Sequence, residues 1–589
     1  MYINEFIESE FKIWDLLNNP SLNKFIKCEE DGIISINLNP VLRGSKVNES
    51  NIPQLLKESK NFKLVLKNNY LNIDFDNSFF NNFIMSKLYN SNKLPFFKDF
   101  GKNKVVCIDF SSPNIAKNLG FHHIRSTLTG SFLSNLYSKL GYDVKKLNFL
   151  GDWGSGIAKL IFGYKYFKCS KEMSIDELHA LYVKISTEIK NKQELQDEVY
   201  KIETILEDSS NDKYEEYINL WSIFKEITLK DLKKMYSYFD ITFDDYKGES
   251  FFASNDQLLD LIKSKLTDKL KISKTGSMYL DLPKIKEPCF LFKNNGETIY
   301  TTRDLAAIKY RFDTYNFDKI YYVVDSGQNL HFKKVFASAK ILDSDIKNME
   351  HLDFGQVLMY DEDEKSWTKG SSRSGKTFKL IDIINLLIKK QKEKTDYKIK
   401  DGKVFLKKQD QIVHEFTKDE FEQNISNIAL SGLIFDALRI KRRTNIKFNL
   451  DEILDMEGDT GPYVLYNVVR IRSIYRNYIG KFSKLENKNI DFTLLSNKKE
   501  KEIIVFILTL DKVIEYSMKS NESCGIAEFL IKLCKKLSSY YSLGKLDDYM
   551  KVITDDIKLS STRMALLKVI ENVIVETLNL MGIKTVSYM

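Results

Sequence analysis

Six cysteines are scattered over 589 residues, and no two of them form a Cys-x-x-Cys pair. A disulfide framework and a zinc site are therefore not expected. Cys28, Cys107, Cys169, Cys289, Cys524 and Cys534 read instead as small, mostly buried residues of a reducing compartment. Proline is scarce at eight residues, while Lys, Asn, Ile, Phe and Tyr are abundant, a bias of coding composition more than of chemistry. No apolar run reaches the ~18 residues of a membrane span, so no membrane partner is expected. Charge of neither sign dominates: the net is +8, too mild to establish nucleic-acid binding by itself. There is no internal repeat and no low-complexity linker. Glu5, Glu8 and Glu10 near the N-terminus argue against a mitochondrial or secretory leader, which leaves the cytoplasm as the expected compartment. The length allows roughly three or four domains of about 150 residues.

What the chain does have is concentrated between positions 105 and 154. Val105-Val106-Cys107-Ile108 reads as a buried strand that runs into the polar turn Ser111-Ser112-Pro113-Asn114-Ile115-Ala116-Lys117. His122-His123-Ile124-Arg125-Ser126-Thr127 opens a helical pattern with Phe132, Leu133, Leu136 and Leu140 on one face and Gly141 as its stop. A second strand, 144–150, ends at Gly151-Asp152-Trp153-Gly154. In a parallel βαβ unit both carboxyl ends face one crevice. Asn114, Lys117, the histidines and the Gly-Asp-Trp-Gly segment should converge there. A helix N-terminus in that crevice favours a bound anion such as phosphate.

At these residues the chain resembles the arginyl-tRNA synthetases, a class I aminoacyl-tRNA synthetase family, and later blocks extend the resemblance over nearly the whole length. The fold implied is α/β: a Rossmann-type class I catalytic domain, an N-terminal α/β domain and a C-terminal all-α anticodon-binding bundle. The activity implied is arginine–tRNA ligation. ATP activates arginine to the adenylate with magnesium assisting, and the arginyl group passes to the 3′ end of tRNA(Arg). ATP is a substrate, and neither a permanently bound cofactor nor a protein metal site is implied. The partners are tRNA(Arg), arginine and ATP, and the family is usually monomeric.

The resemblance also names site residues. His123 matches the second His of the family's His-x-Gly-His block and is placed against ATP with His122, Gly151 and Asp152. The block departs from the pattern: Gly120 stands where the first His should be, and His122 stands where the family has Gly. The family Gly lets adenine approach the backbone closely, and the first His contacts phosphate oxygens. A catalytically weakened or inactive, synthetase-like RNA-binding protein is therefore the alternative reading. Lys369-Gly370-Ser371-Ser372-Arg373-Ser374-Gly375-Lys376-Thr377 sits where the family has its variant of the Lys-Met-Ser-Lys-Ser loop. Lys369 and Arg373 are candidates for catalysis, Ser374 for ATP, and Lys117 for the charge that a weak loop fails to supply. The same stretch is a literal Walker A match. A P-loop must follow a buried strand, and here an acidic segment, 360–367, precedes it.

Arginine recognition needs carboxylates matched to a planar, five-donor guanidinium. Glu249 and Asp304 are the candidates, with Tyr300 and Gln328 shaping the slot and Ser112 and Asn114 holding the α-amino and carboxylate end. The nucleotide cradle and this slot should share one cleft. Residues 1–95 resemble the family's tRNA-contacting N-terminal domain, and Leu71, Ile73 and Phe75 alternate as in a half-buried strand. Residues 100–440 read as the catalytic domain, with a charged, mostly helical insertion at about 165–275. Residues 450–589 read as the anticodon bundle, where Leu567, Ile570, Ile574, Leu578 and Met581 follow helical spacing up to Gly582. Glu457-Gly458-Asp459-Thr460-Gly461-Pro462-Tyr463 resembles the loop at the bundle's entry. Tyr463 and Arg470 are the tRNA-binding candidates. Arg472 and Arg476, with Arg439, Lys441, Arg442 and Arg443 before them, add a candidate basic face for phosphates.

Overall fold

The computed structural model describes residues 26–28, 34–37, 62–91, 94–169, 172–361, 365–368, 378–482, 485 and 490–589. The chain divides into two compact units. The first comprises 1–98, 391–439 and 451–589; the second comprises 99–390 and 440–450.

The second unit is built on a parallel sheet. Its strands are β1 (Val105–Asp109), β2 (Asp143–Leu147), β3 (Lys319–Tyr322) and β4 (Met349–His351), in the order β4-β3-β1-β2. The β-branched run at 105–108 fills the centre, with Val106, Cys107 and Ile108 all buried. Helix α1 (Ile124–Lys139) connects β1 to β2 and packs Phe132, Leu133 and Leu136 inward, as their spacing requires. Helix α2 (Tyr300–Tyr315) leads into β3, and α3 (Asn329–Leu342) joins β3 to β4. Two details differ from the sequence reading. A 3-10 turn, Phe121–His123, precedes α1, and β2 stops at Leu147, because the Asn148 amide turns to donate to the Asp245 carbonyl at 2.9 Å. The insertion is helical, as expected, through Ile175–Asn191, Glu194–Leu206 and Tyr214–Ser237, and ends in a small antiparallel sheet that includes Met278–Leu280 and Cys289–Phe292.

The first unit carries a four-stranded antiparallel sheet in which Tyr70–Phe75 alternates buried Leu71 and Ile73 with more exposed neighbours. Helix Asn77–Tyr89 follows, capped by the Asp76 carboxylate on the Phe79 amide. This helix joins the C-terminal bundle: buried Asn81 donates to the Leu495 carbonyl at 2.6 Å, and Tyr89 packs edge-on against Phe492. The N-terminal residues and the bundle thus fall in one compact unit. By packing, the catalytic unit runs to 390 and returns for 440–450. Helix Lys418–Arg439 and an antiparallel meander, 397–416, belong with the bundle, whose further helices include Gly461–Phe482, Cys524–Leu543 and Ile557–Met581. The apolar stripe from Leu567 to Met581 is buried, and the last helix ends at Gly582.

Candidate active site

The site begins where β1 runs out. Ser111, Ser112 and Ala116 all have left-handed backbone (φ 70°, 45° and 60°). For residues with a Cβ this costs on the order of 1–3 kcal/mol each and persists only where the surroundings impose it. Hydrogen bonds do so here. The Ser111 amide donates to Ser126 Oγ at 2.9 Å, Ser111 Oγ meets the Tyr236 hydroxyl at 2.8 Å, and the Ala116 amide donates to Thr228 Oγ1 at 3.0 Å. The last two partners come from the insertion helix Tyr214–Ser237, so the insertion helps to shape the crevice.

A cavity of about 480 Å³ opens over this loop, within the range of small-molecule sites. Ser111, Ser112, His122, His123 and Ser126 line its polar end; Val323, Phe354 and Val357 supply apolar wall, with Asp325 and Gln356 beside them. The arrangement suits a nucleotide, with phosphates toward the N-terminus of α1 and a base against the apolar side. The two imidazoles lie 4.0 Å apart. His123 Nδ1 donates to the Gly120 carbonyl at 3.2 Å, which leaves Nε2 as the available nitrogen. Burial, with His122 adding to it, pushes the His123 imidazole down to about 3, so it is neutral at physiological pH. The walls around His122 lower its pKa as well, although its edge reaches solvent.

Arg125, almost fully buried, anchors the start of α1: its Nη2 donates to the carbonyls of Ile440, Lys441 and Arg442. Lys117 does not line the cavity; its ammonium lies 4.4 Å from the centre of the Tyr182 ring, on the insertion. The loop candidates Lys369, Arg373 and Ser374 lie outside the described residues. The chain just after them is described. The Phe121 amide donates to the Phe378 carbonyl at 2.8 Å, and the Leu380 amide to Leu119 at 2.9 Å. The loop therefore ends hydrogen-bonded beside the histidine block. The strand before it, Ser366–Thr368, is a three-residue antiparallel edge strand rather than the buried parallel strand that a P-loop needs.

Asn114 and Gly151 pair backbone to backbone, with the Ile115 amide donating to the Gly151 carbonyl at 3.1 Å. A Cβ at Gly151 would lie 2.0 Å from Asn114 Oδ1, so glycine here lets the Asn114 side chain keep its place. Asp152 is not part of the cavity lining. It is wholly buried, and both oxygens are engaged: Oδ1 accepts the Ser250 amide at 2.9 Å, and Oδ2 accepts Lys225 Nζ and Ser250 Oγ, each at 2.7 Å. It thereby fixes the short helix Glu249–Ala253.

The charge of Asp304 reaches Glu249, and each carboxylate already has a protein partner. Glu249 Oε2 lies 3.2 Å from Arg303 Nη2, and Asp304 Oδ2 lies 2.6 Å from His331 Nε2, with the Tyr300 ring over His331. Burial pushes Glu249 up to about 7; Arg303 pulls it down, while Asp304 and Asp152 push it further up. This slot lies outside the lining of the 480 Å³ cavity. The link between them is Ser112, a cavity residue that donates to Asp109 Oδ1 at 2.7 Å. Asp109 in turn is buried on Arg311 at 2.7 Å, and the charge of Asp304 reaches it. Gln328 is exposed at the end of the 3-10 turn that follows β3. Among the described residues no group of three or more His, Cys, Asp or Glu could hold a metal ion.

The sequence reading passed over Asp109, Arg125, Lys225, His331 and the segment 354–357. Residues 354–357 carry no polar cluster. What marks them is position alone, just beyond the carboxyl end of β4.

The catalytic-domain model of the class I tRNA synthetases (R) matches residues 84–450, and the DALR anticodon binding domain model matches residues 464–589. The chain belongs to the arginyl-tRNA synthetases. Its relatives include the arginine–tRNA ligases of Clostridium perfringens, 32% identical over 88% of this chain and 86% of the relative, and of Pediococcus pentosaceus, 33% identical over 82% and 80%. The arginyl-tRNA synthetase structure from Thermus thermophilus shares the fold with a TM-score of 0.72 at 17% identity, covering 94% of each chain. That from Plasmodium falciparum does so with 0.69 at 22% identity, covering 94% of this chain and 93% of the other. The bundle contains the residues that match the anticodon binding domain model. In it, Tyr463 stands in the first turn of helix Gly461–Phe482, and the Arg470 guanidinium is held between the Tyr466 and Tyr541 rings. The candidate basic face is largely engaged within the chain. Arg472 binds Glu571 at 2.7 Å, Arg476 lies over Tyr588, and in the catalytic unit Arg442 and Arg443 both bind Asp353. No helix among the described residues is long and apolar enough to cross a membrane.

Proposed function

We propose that this arginyl-tRNA synthetase activates arginine in the crevice at the carboxyl ends of β1, β2 and β3 and transfers it to tRNA(Arg). ATP occupies the cavity, its base toward Phe354 and Val357 and its phosphates toward α1. Arginine lies with its guanidinium between Glu249 and Asp304 and its α-amino and carboxylate end near Ser112 and Asn114. The carboxylate attacks the α-phosphorus and pyrophosphate leaves, carrying magnesium with it. A ribose hydroxyl at the tRNA terminus then attacks the carbonyl of the mixed anhydride; AMP departs and the hydroxyl proton goes to solvent. Reactions of this kind depend on positioning and electrostatics. His123 orients ATP, its Nε2 accepting a hydrogen bond from the sugar or base of the nucleotide, and Lys117, Lys369 and Arg373 neutralise the leaving group, with Ser374 beside them. Tyr300 and Gln328 close the guanidinium slot. Tyr463 and Arg470 contact tRNA. The protein acts as a monomer in the cytoplasm.

The observation that carries this reading is the Ser112–Asp109 contact, which ties the nucleotide cavity to a buried carboxylate that the charge of Asp304 reaches. The alternative, a non-catalytic RNA binder, draws on Gly120 in place of histidine. An RNA binder has no use for two carboxylates converging on one slot. Charging of total tRNA with each amino acid in turn tests the reading: arginine alone should be incorporated, with tRNA required for pyrophosphate release. Tight tRNA binding without turnover on cognate tRNA would favour the alternative.

A further inference from the structure

The histidine block presents two imidazoles to the cavity, not from its first and last positions but from adjacent ones. Gly120 has no side chain, and the backbone on both sides of it is fixed by the hydrogen bonds of Leu119 and Phe121 to Leu380 and Phe378. Phe121 is buried against Phe448 at 4.9 Å. A register shift that would bring another side chain to position 120 would break all of these contacts. Only His122 and His123 are left to face the cavity.

The donors in its polar end are mostly spent. Ser112 Oγ donates to Asp109, Ser126 Oγ donates to the Val323 carbonyl at 2.6 Å, and Ser111 Oγ is held between Tyr236 and Thr127. His123 commits its Nδ1 proton to Gly120, so its Nε2 is an acceptor while the ring is neutral. His122 differs: it makes no hydrogen bond among the described residues and its edge is open to solvent. Whichever tautomer it takes, its ring N–H is uncommitted among the described residues, on a side chain that lines the cavity.

We infer that His122 is a catalytic residue that donates a hydrogen bond to the phosphate chain of ATP, supplying from position 122 the imidazole that position 120 lacks. The inference rests on reading the cavity as the ATP site. Asp325 lines the same cavity and its charge favours protonation of His122, against the larger opposing effect of burial. Bound phosphates act in the same direction as Asp325, so the ring becomes a stronger donor once ATP is present.

The test uses the full chain with His122→Ala and His122→Gln. Affinities for ATP and for adenosine are measured by calorimetry, and arginyl-adenylate formation by pyrophosphate exchange with tRNA present. The expected result for His122→Ala is ATP binding weakened at least about tenfold with adenosine binding unchanged. Turnover should fall about 100-fold, the usual effect of removing one preorganised donor, with the KM for arginine unchanged. His122→Gln, which keeps an N–H, should recover part of both losses. Equal weakening of ATP and adenosine, or ATP affinity within threefold of the unmodified chain, overturns the inference. Should the unmodified chain form no adenylate, the functional reading fails, while the comparison of ATP with adenosine still decides the role of His122.

Discussion

Arg303 Nη2 lies 3.2 Å from Glu249 Oε2, so the carboxylate assigned to substrate arginine already holds an arginine of the chain itself. The hold is loose. Arg303 adds a long 3.5 Å hydrogen bond to Thr298, and its buried Nε has no hydrogen-bond partner among the described residues. A substrate guanidinium can displace such a neighbour, provided that Glu249 is ionised. Burial holds Glu249 at about 7, above its ordinary 4.5. The KM for arginine should therefore fall up to about tenfold per unit as pH rises toward 7, and level off above 8. Glu249→Gln should abolish that dependence. The sign for stability is opposite: the stabilising contribution of protonated Glu249 is fully present below about 4.5 and lost as pH rises through about 7. Melting curves at pH 4.5 and 8 should show Glu249→Gln gaining on the unmodified chain at the higher pH.

The same contact gives a second, independent expectation. Arg303 lowers the pKa of Glu249, whereas Asp304 and Asp152 raise it. Replacing Arg303 by Gln removes the opposing positive charge and moves the midpoint of the arginine pH profile upward. Near neutral pH the variant binds arginine less well, although a competitor has gone; above pH 9 the loss disappears. A midpoint that stays in place would mean that the ionisation seen in the profile is not that of Glu249.

Periodicity carried the architecture. The run at 105–108, the apolar face of α1 and the stripe 567–581 each bury the residues that their spacing selects. Both histidines of the block line one cavity, and the charge of Asp304 reaches Glu249. Three things were not legible. The partners of the site residues come from far along the chain, as Lys225 does for Asp152 and His331 for Asp304, and neither has a local pattern. The apolar wall at 354–357 has no chemical signature and is defined only by the end of β4. The grouping of helix Lys418–Arg439, buried nearly all round, with the bundle has no local pattern either, and only packing shows it.

Gly151→Ala should separate arginine binding from ATP binding. The new Cβ would sit 2.0 Å from Asn114 Oδ1 and 3.3 Å from its Cα, so the side chain must swing away while the backbone pairing limits its retreat. The KM for arginine should rise at least about tenfold and that for ATP by less than threefold, because the cavity lining does not include either residue. Kinetics at saturating ATP and then at saturating arginine check this. An equal rise in both would mean that the Asn114–Gly151 contact supports the whole crevice.

His123 offers a check that needs no turnover. Its low pKa, about 3, and its Nδ1–H bond to Gly120 make it a neutral ring of fixed tautomer in the free protein. Nitrogen chemical shifts of labelled histidine should show it untitrated down to pH 5, with Nδ1 protonated. A transition near 6.5 would show that the ring is not enclosed as described. Binding of ATP should shift the Nε2 resonance while the ring stays neutral, because a pKa of about 3 leaves it far from titration at neutral pH.

The Asp152–Lys225 pair links stability to the slot. Asp152 is fully buried and Lys225 keeps about a fifth of its side chain exposed, with 2.7 Å between the charges. Removing one partner strands the other, which for a buried pair costs roughly 3–5 kcal/mol; the partial exposure of Lys225 sets the expectation for Asp152→Asn near the lower limit. Lys225→Met leaves the carboxylate uncompensated and should cost more, since Asp152 has no access to water. The double variant Asp152→Asn with Lys225→Met should be more stable than either single one, because it leaves no buried charge and Asn can still accept the Ser250 amide. If the pair also positions Glu249, the double variant will not recover the KM for arginine along with its stability, because the Ser250 Oγ bond to Asp152 Oδ2 that steadies helix Glu249–Ala253 is weakened. Thermal melts and arginine kinetics on the same three variants separate the two effects. Recovery of both together would reduce Asp152 to a folding residue.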